Sequence, residues 1–439
     1  MGSMQEARTI NLTMDLCLRI GEMLLSSGAG AADVTATMQS VARHLGLRNP
    51  VIDVTFTSLS MGYSISSEEA PLALFRQVVQ RDIDYEDLTS VDGLVRDVLD
   101  DEVDLMEARA VIARIASSGH HRRRWLVTAG YGVMCAGVAL MLGGNAAVMA
   151  VATTAAVLID RLQLVMSRRR LPFFYQQIAG AAVATLLAVG AAALEGSVDP
   201  SQAITANIIM LLSGIGFMGA LQDCLTGYYV TGGARMIEAL LATSGIIAGV
   251  SGGLAVADIA GVSIGRLEPG STSLIGLSLM ALGAAVSAAA FAFSAYSPKR
   301  VMLPIALIAG AAMVISQVVE TSGFGRTWSV GLAAFFIGLV SFSVSTMVRV
   351  PPLVIVVSAI VPMLPGLSIY RGLSLLGDDG DSAGGILALV TAASVAIALA
   401  AGVILGEYVA QPLRREARRL ERRLSGPRLV GPFRARTNR

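Results

Sequence analysis

Ten apolar runs, each close to the length needed to cross a bilayer, constrain this chain more than any other feature of its sequence. They occupy residues 125–142, 145–160, 173–194, 203–222, 234–257, 272–296, 301–319, 328–348, 351–370 and 384–408. A hydrocarbon core about 30 Å thick requires roughly 20 apolar residues in a helix. Because only helices and closed barrels satisfy their backbone groups in lipid, the runs predict an α-helical polytopic membrane protein with ten spans.

Charge is low and is kept apart from the apolar runs. Only 15% of the 439 residues are charged, where a soluble protein would carry about a quarter. Residues 1–119 hold 18 acidic and nine arginine side chains, and the tail 411–439 holds ten arginines and two glutamates. We therefore divide the chain into an N-terminal domain (1–119), a first membrane half (120–265), a second membrane half (266–412) and a basic tail (413–439).

The N-terminal domain is predicted to be a small cytosolic α/β unit. Helical spacing of apolar residues predicts helices over 12–26, 32–46, 71–81, 87–98 and 104–116, whereas 51–65 alternates with the period of strands. Gly28 and Gly30 precede the second helix, where they form either a plain turn or a turn that holds an anion. The acidic residues of this region are typical of a solvated helix start, and a metal or hydrolytic cluster is the alternative; they are Asp82, Asp84, Glu86 and Asp87.

Positive charge in the short loops predicts the orientation. With residues 1–119 inside, eight lysines and arginines fall in inner loops, whereas only Arg266, Arg326 and Arg371 fall in outer loops. This bias places both termini in the cytoplasm. Ten spans divide as five plus five, and an odd number in each half predicts an inverted repeat with a transport site between the halves.

Ionisable groups stand at the joint between spans four and five, where Gln222, Asp223, Arg235 and Glu238 lie near membrane depth. Such groups usually face a cavity and mark a substrate or proton pathway; a salt-bridge cluster at the inner surface is the alternative. Pairing of Glu238 with Arg235 one turn away would leave Asp223 as the freer carboxylate and the proton carrier. Asn207, inside span four, is a pathway candidate for which interhelical hydrogen bonding is the favoured interpretation.

The corresponding place in the second half carries prolines. Pro362 and Pro365, followed by Gly366, predict a break in span nine, because proline has no N–H and clashes with the preceding turn. Open backbone at membrane depth is tolerated only inside protein or beside a wet cavity; a simple kink is the alternative. Tyr370 and Arg371 end this span on the outer side, where they could form an exit gate.

Motifs of several other protein classes are missing from the sequence. It contains no P-loop or HExxH, and Cys17, Cys135 and Cys224 do not have the spacing of metal ligands. We therefore expect no cofactor, no metal, no nucleic-acid partner and no ATP drive within this chain. The arginine-rich tail predicts contact with anionic lipids. The sequence leaves both a monomer and a homo-oligomer as alternatives.

Several segments resemble the bacterial threonine/serine exporters. They are LCLRIGEMLLSSGAGAADV (16–34), VIDVTFTSLSM (51–61), QDCLTGYYVTGGARMIEA (222–239), IVPMLPGLSIYRGL (360–373) and GVILGE (402–407). The likeness covers about 12–410 and leaves out the basic tail. It implies a multi-pass protein of the bacterial plasma membrane that exports threonine and serine on the proton gradient, and it brings no established site residues.

Three functions follow as expectations. The first is a secondary exporter of small polar amino acids that exchanges them for protons. The second is a membrane enzyme whose N-terminal domain hydrolyses a peptide or amide. The third is an amino-acid sensor, which ten spans disfavour because signalling needs far fewer.

Overall fold

The computed structural model describes residues 2–424, apart from 65–69, 80–81, 195–197, 213, 260, 262–273, 367, 370–371, 373–374 and 376–381. The predicted pathway residues Tyr370 and Arg371 and the end of the basic tail lie outside the described residues.

The N-terminal region combines four helices with a small sheet. Its elements are α1 (Gly2–Ser26), α2 (Ala31–His44), β1 (Val51–Thr55), β2 (Ser58–Tyr63), β3 (Leu72–Gln77), α3 (Tyr85–Leu99) and α4 (Leu105–Ser117). The strands form an antiparallel sheet in the order β1-β2-β3. Asp84 and Asp104 cap α3 and α4 by accepting hydrogen bonds from backbone N–H groups of the first turn.

The helix predicted over 71–81 is wrong, since this segment contains strand β3. Its residues alternate between half-buried and exposed positions, which is the period of a strand. β3 pairs with β2 from Tyr63–Leu72 to Ser58–Gln77. The cross-strand side-chain pairs that β3 makes with β2 stabilise this segment as a strand.

Eight helices in the described part of the chain are long and apolar enough to cross a membrane. They are α5 (Arg124–Met141), α6 (Ala146–Arg168), α7 (Phe173–Leu194), α10 (Tyr229–Ile259), α11 (Leu274–Ser294), α12 (Met302–Thr321), α13 (Arg326–Val348) and α15 (Ser382–Leu424). The chain is therefore a polytopic α-helical membrane protein, as predicted. The shortest predicted run, 145–160, belongs to a helix of 23 residues.

The two remaining apolar runs are broken rather than continuous. The first is split into α8 (Pro200–Leu211) and α9 (Gly214–Leu225), which meet at an angle of 48° and together would make a ninth span. The second contains α14 (Pro352–Ile360) followed by one 3-10 turn, Val361–Met363. The break in the second run is confirmed, whereas the first run was predicted to be a single helix.

Glycines let pairs of membrane helices touch along their backbones. On α10, Gly245, Gly249 and Gly253 face α7; a Cβ on Gly245 would lie 2.7 Å from the carbonyl oxygen of Phe174. On α15, Gly402 and Gly406 face α13 in the same way. Small residues spaced by four allow such close contact, which stabilises helix pairs in lipid.

Candidate functional site

The two broken runs contact each other. Gly366, just after the break that follows α14, lies against Ile209 of α8, and a Cβ on Gly366 would come within 2.6 Å of the Ile209 Cγ1. Pro362 and Pro365 beside it are buried. Only glycine allows this approach, so the sequence ProMetLeuProGly both ends α14 and admits α8. We call this contact the crossing.

The α8 side of the crossing region carries polar atoms without partners. Thr205 and Asn207 are both 0% exposed. The Asn207 Nδ2 donates to the Ala203 carbonyl at 2.9 Å within its own helix. This amide nitrogen therefore does not make the interhelical hydrogen bond that the sequence analysis favoured. In the described structure neither the Asn207 Oδ1 nor the Thr205 hydroxyl has a hydrogen-bond partner. Such groups cost free energy when buried, and they call for an explanation such as a ligand.

The α14 side offers backbone in place of side chains. The Ser358 hydroxyl donates to the Val354 carbonyl at 2.7 Å inside the helix. Beyond Ile360, the Leu364 N–H donates to Val361 and the Gly366 N–H donates to Leu364. These short-range bonds replace the regular helical ladder, as expected where prolines interrupt it.

A buried ion pair joins α9 and α10 at one end of the membrane helices. The Arg235 Nη1 lies 2.6 Å from the Asp223 Oδ2, and the two side chains are only 4% and 1% exposed. Asp223 was predicted to be the freer carboxylate, and this is wrong, because Asp223 itself holds the arginine. Glu238 is exposed on α10, and Gln222 is half-buried beside Asp223.

The ion pair also binds the start of helix α2. The Ala31 N–H donates to the Asp223 Oδ1 at 2.8 Å, and the Arg235 Nη2 donates to the Ala29 carbonyl at 3.0 Å. The N-cap residue of α2 is Gly30, which has no side chain to cap the helix. The Asp223 carboxylate takes that role, since a helix N-terminus favours a negative charge. The anion suggested by Gly28 and Gly30 is therefore a side chain of the same protein.

Two residues near these sites were missed by the sequence analysis. Thr205 is a polar residue in an apolar run, the same signal that indicated Asn207. Asp33 had no signal, because an aspartate in the first turn of a helix is ordinary. Its side chain still reaches solvent, yet the surrounding protein raises its pKa, and the negative charge of Asp223 raises it further.

Comparison with known proteins gives this architecture a family. A family model described as "Putative threonine/serine exporter" matches residues 15–257, and a second, "Threonine/Serine exporter, ThrE", matches 280–409. The chain is 35% identical to the "Probable threonine/serine exporter" of Mycobacterium tuberculosis, over 94% of this chain and 80% of the relative.

A second relative is the "Threonine/serine exporter" of Corynebacterium glutamicum, 32% identical over 92% of this chain and 84% of that protein. Both relatives are named as transporters, a class distinct from enzymes. No solved structure matches the chain. The two family matches together with the long relatives show that this chain belongs to the threonine/serine exporter family.

Proposed function

We propose that this protein exports threonine and serine from the cytosol across the plasma membrane, as a secondary transporter driven by the proton gradient. The names of its two relatives support the substrates. The observation that carries the proposal is the crossing, where broken helices meet beside the unpartnered polar atoms of Asn207 and Thr205. Transporters commonly bind substrate at such breaks between their two halves.

The packing of the helices supports the five-plus-five repeat. In the first half α8 packs against α5, α6 and α7, and in the second half α14 packs against α11, α12 and α13 in the same order. The close pair of α7 with α10 likewise corresponds to α13 with α15. An odd number of spans in each half gives the halves opposite orientations, with both termini in the cytoplasm.

The crossing suits a small zwitterion that carries a hydroxyl group. The Asn207 Oδ1 can accept a hydrogen bond from the substrate ammonium or hydroxyl, and the Thr205 hydroxyl can both donate and accept. The backbone opened by Pro362, Pro365 and Gly366 supplies further N–H and carbonyl groups. Tyr370 and Arg371 remain our candidates for the exit gate, and the basic tail our candidate for contact with anionic lipids.

Asp223 is our candidate for the proton carrier, provided that its carboxylate can be released from its present partners. Its carboxylate is held by Arg235 and by the Ala31 N–H, so it can take a proton only when these contacts open. Asp223→Asn keeps the size but cannot titrate. We expect it to lose gradient-driven efflux while it retains threonine counterflow, which needs no net proton movement. Wild-type gradient-driven efflux by the variant would remove Asp223 and leave Glu238 as the next carboxylate to examine.

The export itself is tested with purified protein in proteoliposomes loaded with labelled threonine. We expect efflux of labelled threonine that accelerates when a proton gradient is imposed. Serine should compete with this efflux, and leucine should not. The matched control is the Asn207→Leu variant, which keeps the fold and loses the polar group at the crossing. Threonine efflux that is equal with and without the protein would contradict the proposal.

A further inference from the structure

We propose that the N-terminal region is the inner gate of the transporter, closed in this structure, and that it opens by releasing Asp223 and Arg235. This inference rests on the proposed function, because it assigns a moving part to the same pathway. The contact that opens, formed by Ala29, Ala31, Asp223 and Arg235, is called the latch. The contact on which the region turns, formed by Tyr85 with the second membrane half, is called the hinge.

The latch ties the N-terminal region to the first membrane half through hydrogen bonds. Its hydrogen bonds join Asp223 and Arg235 to the backbone at the start of α2, at 2.8 and 3.0 Å. Beside it, the Thr231 hydroxyl of α10 donates to the Val54 carbonyl at 3.1 Å and accepts from the Phe56 N–H at 3.2 Å. Polar contacts of this kind can be exchanged for water when they separate.

The hinge ties the same region to the second membrane half through a buried aromatic ring. Tyr85, the first residue of α3, is 1% exposed and packs edge-to-face on Phe291 with ring centres 6.5 Å apart. Its N–H donates to the Ala295 carbonyl at 2.9 Å, and its hydroxyl lies near Ser358. Ser358 stands two residues before the end of α14, so this contact reaches the helix that leads to the crossing.

Residues of the segment 118–123, which connects α4 to α5, strengthen the hinge. Arg122 donates to the carbonyls of Phe293 and Ser297 at the end of α11, and its guanidinium lies over the Phe293 ring. His120 stacks on Tyr296 with ring centres 3.9 Å apart. Separating these apolar and aromatic surfaces would expose them to water, which makes the hinge the more permanent of the two contacts.

The described structure gives two reasons for the latch to open. The first is access: Asn207 and Ser358 are both 0% exposed, so a substrate can reach the crossing only if a covering element moves. The second is charge. Docking of α2 brings the Asp33 carboxylate close to that of Asp223: a Cβ on Gly30 would lie 3.3 Å from the Asp223 Oδ1 and 3.9 Å from the Asp33 Oδ2. Repulsion between these like charges favours separation of α2, which offsets part of the attraction of its backbone for Asp223 and Arg235.

The test locks the latch with a disulfide. Phe56→Cys and Thr231→Cys are introduced after Cys17, Cys135 and Cys224 are replaced by Ala. The pair is chosen because the Phe56 N–H lies 3.2 Å from the Thr231 hydroxyl beside the latch. We expect oxidised protein to lose at least nine-tenths of its threonine efflux and reduced protein to recover it. The matched control, Asp53→Cys with Ser60→Cys, links the paired strands β1 and β2 within the N-terminal region, and should export equally in both states.

A second readout does not depend on transport. In the same background, Asn207→Cys reports access to the crossing through its labelling rate with a membrane-impermeant thiol reagent added on the side of the N-terminal region. We expect labelling in the unlocked protein and at least tenfold slower labelling when position 56 is cross-linked to position 231. If the unlocked parent exports no threonine, the proposed function fails, and the labelling rates still decide the gate.

Two results would overturn the gate. One is threonine efflux at the parental rate from protein whose cross-link is verified by mass spectrometry. The other is a labelling rate of Asn207→Cys that is the same with and without the cross-link. Failure of the two cysteines to cross-link at all would also contradict the proposal, because the closed latch requires them to be neighbours.

Discussion

The two broken helices each pack against three membrane helices, α8 against α5, α6 and α7 and α14 against α11, α12 and α13, yet they are built from different residues. The α8 segment carries Thr205 and Asn207 with unpartnered polar atoms, and its continuation α9 carries the charge of Asp223. The 352–363 segment has no ionisable residue and is broken by prolines. We infer that α8 and α9 contribute the polar and charged side chains of the site, whereas the segment after α14 contributes a break in the helix that lets the backbones approach.

The N-terminal region treats the two helices differently as well. It meets the first at a buried ion pair and the second at the buried ring of Tyr85. Variants that alter polarity should therefore act mainly in the first half, and variants that alter size should act mainly in the second. The predictions below test that difference.

The largest effect is expected from Asn207→Leu. Because the Oδ1 has no partner in the described structure, replacing the amide by an apolar side chain of similar size should cost little stability. A lost hydrogen bond to a charged substrate group is worth about 1.5–3 kcal/mol, so threonine efflux should fall by roughly 10- to 100-fold. The measurement is efflux from proteoliposomes together with the melting temperature in detergent.

Ser287→Ala is the matched control for this variant. The Ser287 hydroxyl is also buried and unpartnered in the described structure, but it lies on α11 against Gly137 of α5 and not on either broken run. We expect efflux close to that of the wild type. An equal loss in both variants would show that buried polar atoms act on stability and not on substrate.

The next effect concerns the ion pair in the first half. Asp223→Asn leaves a buried Arg235 without its charge partner, and breaking such a pair costs about 3–5 kcal/mol. Arg235→Gln added to Asp223→Asn should recover most of this stability, measured by thermal unfolding. If Asp223 carries the proton, gradient-driven efflux stays lost in the double variant. Recovery of both stability and efflux would instead assign the pair a structural role alone.

A smaller effect on threonine efflux is expected at Gly366, where a substitution changes only the size of the side chain. A Cβ at this position would lie 2.6 Å from the Ile209 Cγ1, and overpacking of a buried contact costs about 1–3 kcal/mol. Gly366→Ala should therefore reduce both stability and efflux, and Ile209→Ala in the same chain should restore them by making room. Gly190→Ala on α7, which has open space around it, should leave both unchanged. Failure of Ile209→Ala to rescue would refute the crossing as described.

The same contrast explains what could be predicted from the sequence. The apolar runs predicted the membrane helices, since hydropathy over about 20 residues has few other meanings. The break at Pro365 was predicted because proline has one steric consequence. The break between α8 and α9 was missed, because Gly214 and Gly216 permit a bend without requiring one. Strand β3 was also missed, since it depends on its neighbour β2.

The candidate site was predicted in its parts and not in its connections. Asp223 and Arg235 were recognised as charges near membrane depth, but their pairing depends on the angle between α9 and α10. Docking of Ala31 and Tyr85 on the membrane helices joins residues 190 or more positions apart. No local pattern in a single sequence encodes such contacts, so they required the structure.

The smallest effect is expected at the acidic start of α3, beside the hinge. Burial raises the pKa of Asp87 to about 6, and the charge of Asp84 contributes further, whereas His120 acts in the opposite direction. A raised carboxyl pKa means that the folded state binds the proton more tightly than the unfolded chain does. The stabilisation that protonated Asp87 gives the folded state is therefore complete below about pH 4, and it is lost as the pH rises through about 6.

At pH 7 the charged Asp87 destabilises the fold, and Asp87→Asn should stabilise it by about 1 kcal/mol after solvent screening. The difference in melting temperature between variant and wild type should vanish towards pH 4. Asp97→Asn, an exposed position on the same helix, is the control and should show no such trend. A constant difference for Asp87→Asn across this pH range would mean that titration of this carboxylate does not weaken the hinge.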